Sequence, residues 1–167
     1  VVFAFHSVAL LPVPLELVAE LPRQLYVYHG CGLGEYLSPV QTRAVIATRL
    51  TSLSKGFSGV SLELLQQMVS LLQCNLLPLI PSEGSVGASG DLTPLSYLAA
   101  VLCGEGEVWR NGVQVGAARA LAEAGITPLR LRPKEGLAIM NGTAVMTALA
   151  CLAYVRADYL TRLFTPN

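Results

Sequence analysis

Apolar positions recur with a helical period through most of this chain, and proline, glycine and small polar residues mark the interruptions. Ser38-Pro39-Val40-Gln41 reads as a capping box with proline at the first helical position. From there Val40, Ala44, Ala47 and Leu50 make an apolar stripe, with Arg43 and Arg49 on other faces. Ser61 is a cap for the next helix, which turns Leu64, Leu65, Met68, Leu71 and Leu72 inward. Pro78 and Pro81 forbid further helix and set up a long loop to Gly90. Asp91, or Thr93 before Pro94, starts a helix through Tyr97, Ala100 and Val101, and Gly104 can end it in the left-handed conformation. Residues 108–115 give a hairpin signal, with Asn111-Gly112 supplying a type I′ turn. Residues 117–124 read as a short helix stopped by Gly125. After Pro133, the stretch from about residue 142 to 164 reads as one long helix that grows more polar at Arg156, Asp158 and Arg162. The expected fold is mainly α, a helical bundle-type fragment with residues 108–115 as its one clear pair of strands. No internal repeat or linker divides it, so residues 1–167 read as a single partial domain.

Composition changes this picture in one respect. Charged residues are 13% and hydrophobic residues 53%, against usual values of about 25% and roughly 45–50%. Such a chain cannot cover itself with polar surface. It is expected to bury helix faces against copies of itself, and to be cut from something larger, since it begins at Val1 and ends at Thr165-Pro166-Asn167 just after a helical pattern. Zero net charge argues against nucleic acid as a partner, because no basic patch meets phosphates. Residues 1–15 are uncharged but contain His6, Pro12 and Pro14 and are too short to span a bilayer. They also lack the basic leader of a signal peptide, so no membrane association is expected. Cys31, Cys74, Cys103 and Cys151 lack C-x-x-C spacing, which makes zinc an unsuitable guess and core thiols the expectation. Nothing points to an oxidising compartment, and a cytoplasmic location is expected.

The candidate chemistry lies in Gly84-Ser85-Val86-Gly87-Ala88-Ser89-Gly90-Asp91-Leu92. A phosphate-binding loop would want a lysine and a different glycine spacing, so no nucleotide is implied. An ordinary glycine/serine surface loop is the plain alternative. Ala88-Ser89-Gly90 has a further capability. If a tight turn pushes the Gly90 nitrogen onto the Ala88 carbonyl carbon, a five-membered ring closes. Loss of water from that ring, and of the Ser89 hydroxyl as a second water, leaves a methylidene-imidazolone, an electrophilic alkene. Small residues suit the turn because side chains would block the approach. A helix starting at Asp91 would place its positive end beside the electrophile.

The whole run resembles the electrophile-forming loop (82–92) of the aromatic amino-acid ammonia-lyases and aminomutases. Three more segments are similar to that family, in its order. They are His29-Gly30-Cys31-Gly32-Leu33-Gly34, Ser52-Leu53-Ser54-Lys55-Gly56-Phe57-Ser58-Gly59-Val60 and Lys134-Glu135-Gly136-Leu137-Ala138-Ile139-Met140-Asn141-Gly142-Thr143. The resemblance implies part of a larger all-α lyase fold and non-oxidative removal of ammonia from an aromatic L-amino acid, with histidine or tyrosine favoured. It implies a methylidene-imidazolone made autocatalytically from Ala88, Ser89 and Gly90, with no metal. Attack on the amine or on the aromatic ring would equally make the amine a better leaving group while a base takes the β-proton. Asn141 would hold the prosthetic ring or the substrate carboxylate, and Tyr28 and His29 would contact the substrate's side chain. Asp91 would cap the helix that follows it and assist cyclisation. An aminomutase on the same scaffold, or a non-catalytic fragment serving as an assembly module, are the alternatives.

The chain departs from the family in two places. The family's Tyr-Gly-x-x-Thr-Gly-Phe-Gly-like segment, whose tyrosine the resemblance implies as base, has no match in residues 1–24. The long C-terminal helical part is absent too. Family active sites are shared among the subunits of a tetramer, so a homotetramer is expected, and this chain alone is not expected to be a competent enzyme.

Overall fold

The structure, a computed structural model, describes residues 2–6, 9–86 and 90–164, and for residues 2–13, 15 and 16 the backbone only. In chain order the elements are β1 (Val2–His6), β2 (Ala9–Val13), α1 (Leu15–Val18), α2 (Leu21–His29), β3 (Leu33–Tyr36), α3 (Pro39–Leu53), α4 (Leu62–Gln73), β4 (Leu77–Pro78), β5 (Pro81–Glu83), α5 (Leu92–Leu102), β6 (Glu107–Arg110), β7 (Val113–Gly116), α6 (Ala117–Glu123), α7 (Glu135–Met140) and α8 (Ala144–Phe164). The fold is mainly α, as the periodicity predicts.

Local chemistry explains most of the boundaries. The Ser38 hydroxyl accepts from the Gln41 amide while the Gln41 side chain accepts from the Ser38 amide, a complete capping box for α3. Ser61 caps α4 by accepting from the Leu64 amide. Asn111 and Gly112 both have positive φ, as a type I′ turn requires, and join β6 to β7.

Four expectations need correction. First, the buried stripe of α3 is Thr42, Val45, Ile46, Arg49 and Leu53, while Val40 is 65% exposed and Ala47 is exposed. A stripe read from apolar residues alone passes over Thr42 and Arg49, and so settles on the neighbouring face. Second, residues 108–115 are not the one strand pair. β1 pairs with β2, β3 with β5, and β4 extends the β6–β7 hairpin into a three-stranded sheet. Some of these strands are as short as Leu77–Pro78 and some partners are distant, as in Leu33↔Glu83 and Leu77↔Trp109. Period-2 alternation has no room to show in them. Third, the thiols are not in the core. Cys31, Cys74 and Cys151 are exposed and Cys103 is half-buried, all four being free. Fourth, the last helix does not begin at residue 142. α8 starts at Ala144, after a bend at Asn141-Gly142-Thr143 that separates it from α7.

The core lies between α3, α4 and α5, filled by Ile46, Leu53, Leu64, Met68, Leu71, Leu95, Leu98 and Leu102, all fully buried. Burying each such side chain contributes about 1.5–3 kcal/mol before conformational entropy is charged against it. α8 lies along α3, and α5 supports both α2 and α7. The stretch Glu135–Phe164 is long and apolar enough to cross a membrane by length and composition. The same length and apolarity suit a helix covered by other helices, and the stretch bends at residues 141–143.

Candidate active site

The break between α7 and α8 is where three of the predicted site residues, Gly90, Asp91 and Asn141, meet. α7 stops at Met140 and Asn141 leaves the helical region at φ −84°, ψ 85°. The end of α7 leaves backbone carbonyls without helical partners, and the start of α8 leaves amides without them. Charged side chains from two other elements satisfy these groups.

Asp91 serves the start of α8. Its Oδ2 accepts the amides of Val145 at 2.9 Å and Met146 at 3.2 Å, and its Oδ1 accepts the Ser85 hydroxyl at 2.8 Å. The Asp91 amide donates to the Gly142 carbonyl at 2.7 Å. Asp91 does hold the N-cap position of α5, yet its side chain makes no capping bond there. The expected cap is therefore real but belongs to α8, a helix 54 residues further along the chain. A carboxylate on the positive end of a helix is favourable in charge as well as in hydrogen bonding.

Arg49 serves the end of α7. Its Nε donates to the Ile139 carbonyl at 2.7 Å, and its Nη2 donates to the carbonyls of Ala138 and of Asn141, the latter at 3.0 Å. Burial pulls this guanidinium below its usual range, and the nearby Asp91 carboxylate acts in the opposite sense. A guanidinium stays charged in a protein, so a buried cation faces the negative end of α7 and a buried anion the positive end of α8. Sequence reasoning missed Arg49 by placing it off the apolar stripe of α3. Its register with Val45, Ile46 and Leu53 was the available signal.

Gly90 enters the same junction. Its φ of +130° lies in the region that favours glycine, and a β-carbon there would stand 2.8 Å from the Gly142 nitrogen and 3.2 Å from Asn141 Oδ1. The Asn141 carboxamide thus lies against Gly90, with Asp91 next in the chain. Ala88 and Ser89 lie outside the described residues.

Tyr28 and His29 form a separate group at the end of α2. Their rings meet edge to face at 5.1 Å between centroids, and Tyr28 is 80% exposed. His29 Nδ1 lies 2.8 Å from the Leu25 carbonyl. A carbonyl only accepts, so the bond puts a proton on Nδ1 and leaves Nε2 as the acceptor of the neutral ring. The following residues tie this group to the loop. The Gly32 amide donates to the Tyr97 hydroxyl at 3.0 Å. A β-carbon on Gly84 would stand 2.6 Å from Thr93 Cγ2 and 3.5 Å from the Gly32 α-carbon. The segment after His29, the start of the loop and the first turns of α5 therefore pack without room for side chains at those glycines.

Between Ser85, Asp91, Pro81, Leu37, Val145 and Met146 lies a cleft of about 140 Å³. Pockets that enclose a ligand run to about 300–1,000 Å³. This cleft is smaller than that, and a second one of about 430 Å³ lies beside Arg49, between α3 and α8.

The described residues thus bring together a glycine turn at Gly90 and an amide side chain, Asn141, held on a break between two helices. The family model of the aromatic amino acid lyases matches residues 6–165, and the chain belongs to that family. It is 49% identical over 141 residues to histidine ammonia-lyase of Shouchella clausii (strain KSM-K16), covering 84% of this chain and 28% of that protein. It is 43% identical over 159 residues to histidine ammonia-lyase of Homo sapiens, covering 95% of this chain and 24% of that protein. Its fold matches phenylalanine aminomutase of Pantoea agglomerans with a TM-score of 0.85 at 34% identity, over 91% of this chain and 29% of that one. The chain spans about a quarter of the length of the curated relatives it matches.

Proposed function

We infer that this chain is the electrophile-bearing part of an enzyme that removes ammonia from an aromatic L-amino acid, with histidine the favoured substrate and tyrosine next. The observation that carries this reading is the junction itself. Gly90 is turned to φ +130° against the Asn141 carboxamide, and Asp91 is pinned beside it. These residues fit a group built from Ala88, Ser89 and Gly90, because the space that a Gly90 side chain would fill is already taken by Gly142 and Asn141. A methylidene-imidazolone at that position supplies an electrophilic alkene. Asn141 would hold it, or the substrate carboxylate, through its amide. Asp91 and Arg49 hold the backbone on which Asn141 sits. His29, with Nε2 free to accept, would take a hydrogen bond from the substrate's side chain.

Intact mass of the purified protein tests this reading. A polypeptide two waters lighter than its sequence supports it, and a polypeptide of full mass with no near-UV absorbance beyond that of Trp109 and the tyrosines would overturn it. The fold match to an aminomutase supports a second outcome for the same site, in which ammonia returns to the β-carbon. Product analysis separates the two, since a lyase releases an unsaturated acid and ammonium while a mutase releases a β-amino acid.

Substrate choice gives a sharper expectation. A site built to bond a ring nitrogen or hydroxyl rejects an analogue lacking it, because its own polar group is left unpaired. His29→Phe removes that penalty and adds apolar contact. The ratio of kcat/KM for histidine or tyrosine over phenylalanine should fall by roughly tenfold or more in the full-length enzyme. An unchanged ratio would remove His29 from the substrate site.

We also read the assembly as a homotetramer. Tyr154, Val155, Tyr159, Leu160, Leu163 and Phe164 are exposed around most of the C-terminal half of α8, apolar surface of the kind that obligate interfaces cover. We therefore place this surface against other helices rather than in lipid, with no nucleic acid as partner. The four free cysteines suit a reducing, cytoplasmic compartment. Light scattering of the full-length protein checks the assembly, and a stable soluble monomer at micromolar concentration would count decisively against it.

A further inference from the structure

Arg49 is 5% exposed, and burying a guanidinium is costly unless its donors are used. Its hydrogen bonds go to backbone carbonyls, those of Ala138, Ile139 and Asn141. A planar fork of donors can reach several carbonyls from one position, whereas an ammonium is a point charge on a flexible stem. The other side of the guanidinium lies against Gly142, where a β-carbon would stand 1.9 Å from Nη1 and 2.5 Å from Cζ. Gly142 does not have a left-handed φ, so its need for glycine comes from this close approach. Asn141 is caught between these contacts. Its carbonyl is held by Arg49, and its Oδ1 faces the β-carbon position of Gly90 at 3.2 Å. The next carbonyl, that of Gly142, accepts the Asp91 amide.

We propose that Arg49 is a positioning residue, which sets the Asn141 carboxamide against Gly90, the end of the Ala88–Ser89–Gly90 segment, by gripping the backbone where α7 ends. Gly142 is the second half of the device, because its bare α-carbon admits the guanidinium. The proposal rests on the reading that this segment becomes the electrophile. Arg49 needs to touch neither the segment nor substrate. It acts through Asn141, both while the ring closes and during turnover.

The test uses the full-length protein with three variants: Arg49→Lys, Gly142→Ala, and Leu121→Ala as a core-cavity control in α6. The wild-type mass is read first. If it shows no loss of two waters, the reading of the site fails, and Arg49 has nothing to position. If the loss is present, the variants decide. Arg49→Lys keeps a cation but not the fork. Gly142→Ala keeps Arg49 but drives its guanidinium away. A displacement of about 1 Å at a positioned group can cost on the order of 100-fold in rate. Both variants should therefore lower kcat for histidine on that order, with KM changed less than about threefold, and both should show a reduced fraction of ring-containing polypeptide by mass. Leu121→Ala should lower the unfolding midpoint but keep ring fraction and kcat per folded molecule. A ring fraction and kcat within about twofold of wild type in Arg49→Lys would overturn the proposal. The same holds if Leu121→Ala loses ring and rate in proportion to stability as the other two do. If Arg49→Lys does not fold, Gly142→Ala carries the test. If neither folds, Arg49 is a folding residue and its positioning role is withdrawn.

Discussion

On the proposed reading, Ser89→Ala removes the ring's own near-UV absorbance and reduces turnover of the full-length enzyme by more than about 10³-fold. Closing a ring from Ala88 to Gly90 needs the Gly90 nitrogen to attack the Ala88 carbonyl carbon, and that carbonyl oxygen leaves as one water. The alkene needs a second water, taken from the Ser89 hydroxyl and its α-hydrogen. Alanine has no leaving group on its β-carbon, so the ring can lose at most one water and gains no exocyclic alkene. Removing one donor from an oxyanion site costs about 10²–10³-fold, and losing the electrophile itself must cost more. Mass spectrometry separates the outcomes: two waters lost in the wild type, none or one in Ser89→Ala. Wild-type turnover in this variant would rule out the whole mechanism.

Features set by neighbours in sequence are legible in the chain alone. Ser38 with Gln41, Ser61 with Leu64, and the Asn111-Gly112 turn are contacts within three residues, and each is where the pattern puts it. The stop at Gly104 is of the same kind, with φ +81° in the left-handed region. The run Gly84–Leu92 stands out in the chain alone because three glycines, Gly84, Gly87 and Gly90, fall within seven residues. What stays hidden depends on partners far along the chain. Asp91 looks like a cap for its own helix, and only the fold reveals that it caps α8. Arg49 looks solvated because arginine usually is, and its three carbonyl acceptors lie about 90 residues away. The β3–β5 pairing joins residues 33 and 83. The place of Asn141 is legible from its motif, whereas the reason it can sit there, a bare Gly142 under a guanidinium, is not.

Asp91→Ala should destabilise the protein by about 3–5 kcal/mol, read from the urea midpoint, and should deplete the ring as well. The Asp91 carboxylate is 4% exposed and accepts three hydrogen bonds, two from the first-turn amides of α8 and one from Ser85. Bonds to a charged acceptor contribute about 1.5–3 kcal/mol each, and removing the acceptor leaves the Val145 amide buried without a partner. Some of the loss is recovered where Met146 and Ser85, both less buried, can turn to water. The charge matters separately. Asp91→Asn keeps one acceptor for α8 but gives up the anion at its positive end, which costs about 0.5–2 kcal/mol. The pair of variants divides the two roles expected of this residue. If ring content falls in step with stability across Asn and Ala, Asp91 acts by holding the loop and the helix break together. If Asn stays stable yet loses the ring, the carboxylate takes part in cyclisation. A midpoint for Asp91→Ala within about 1 kcal/mol of wild type would show that water caps α8 equally well, and the clasp between the loop and the α7–α8 break would then be no clasp at all.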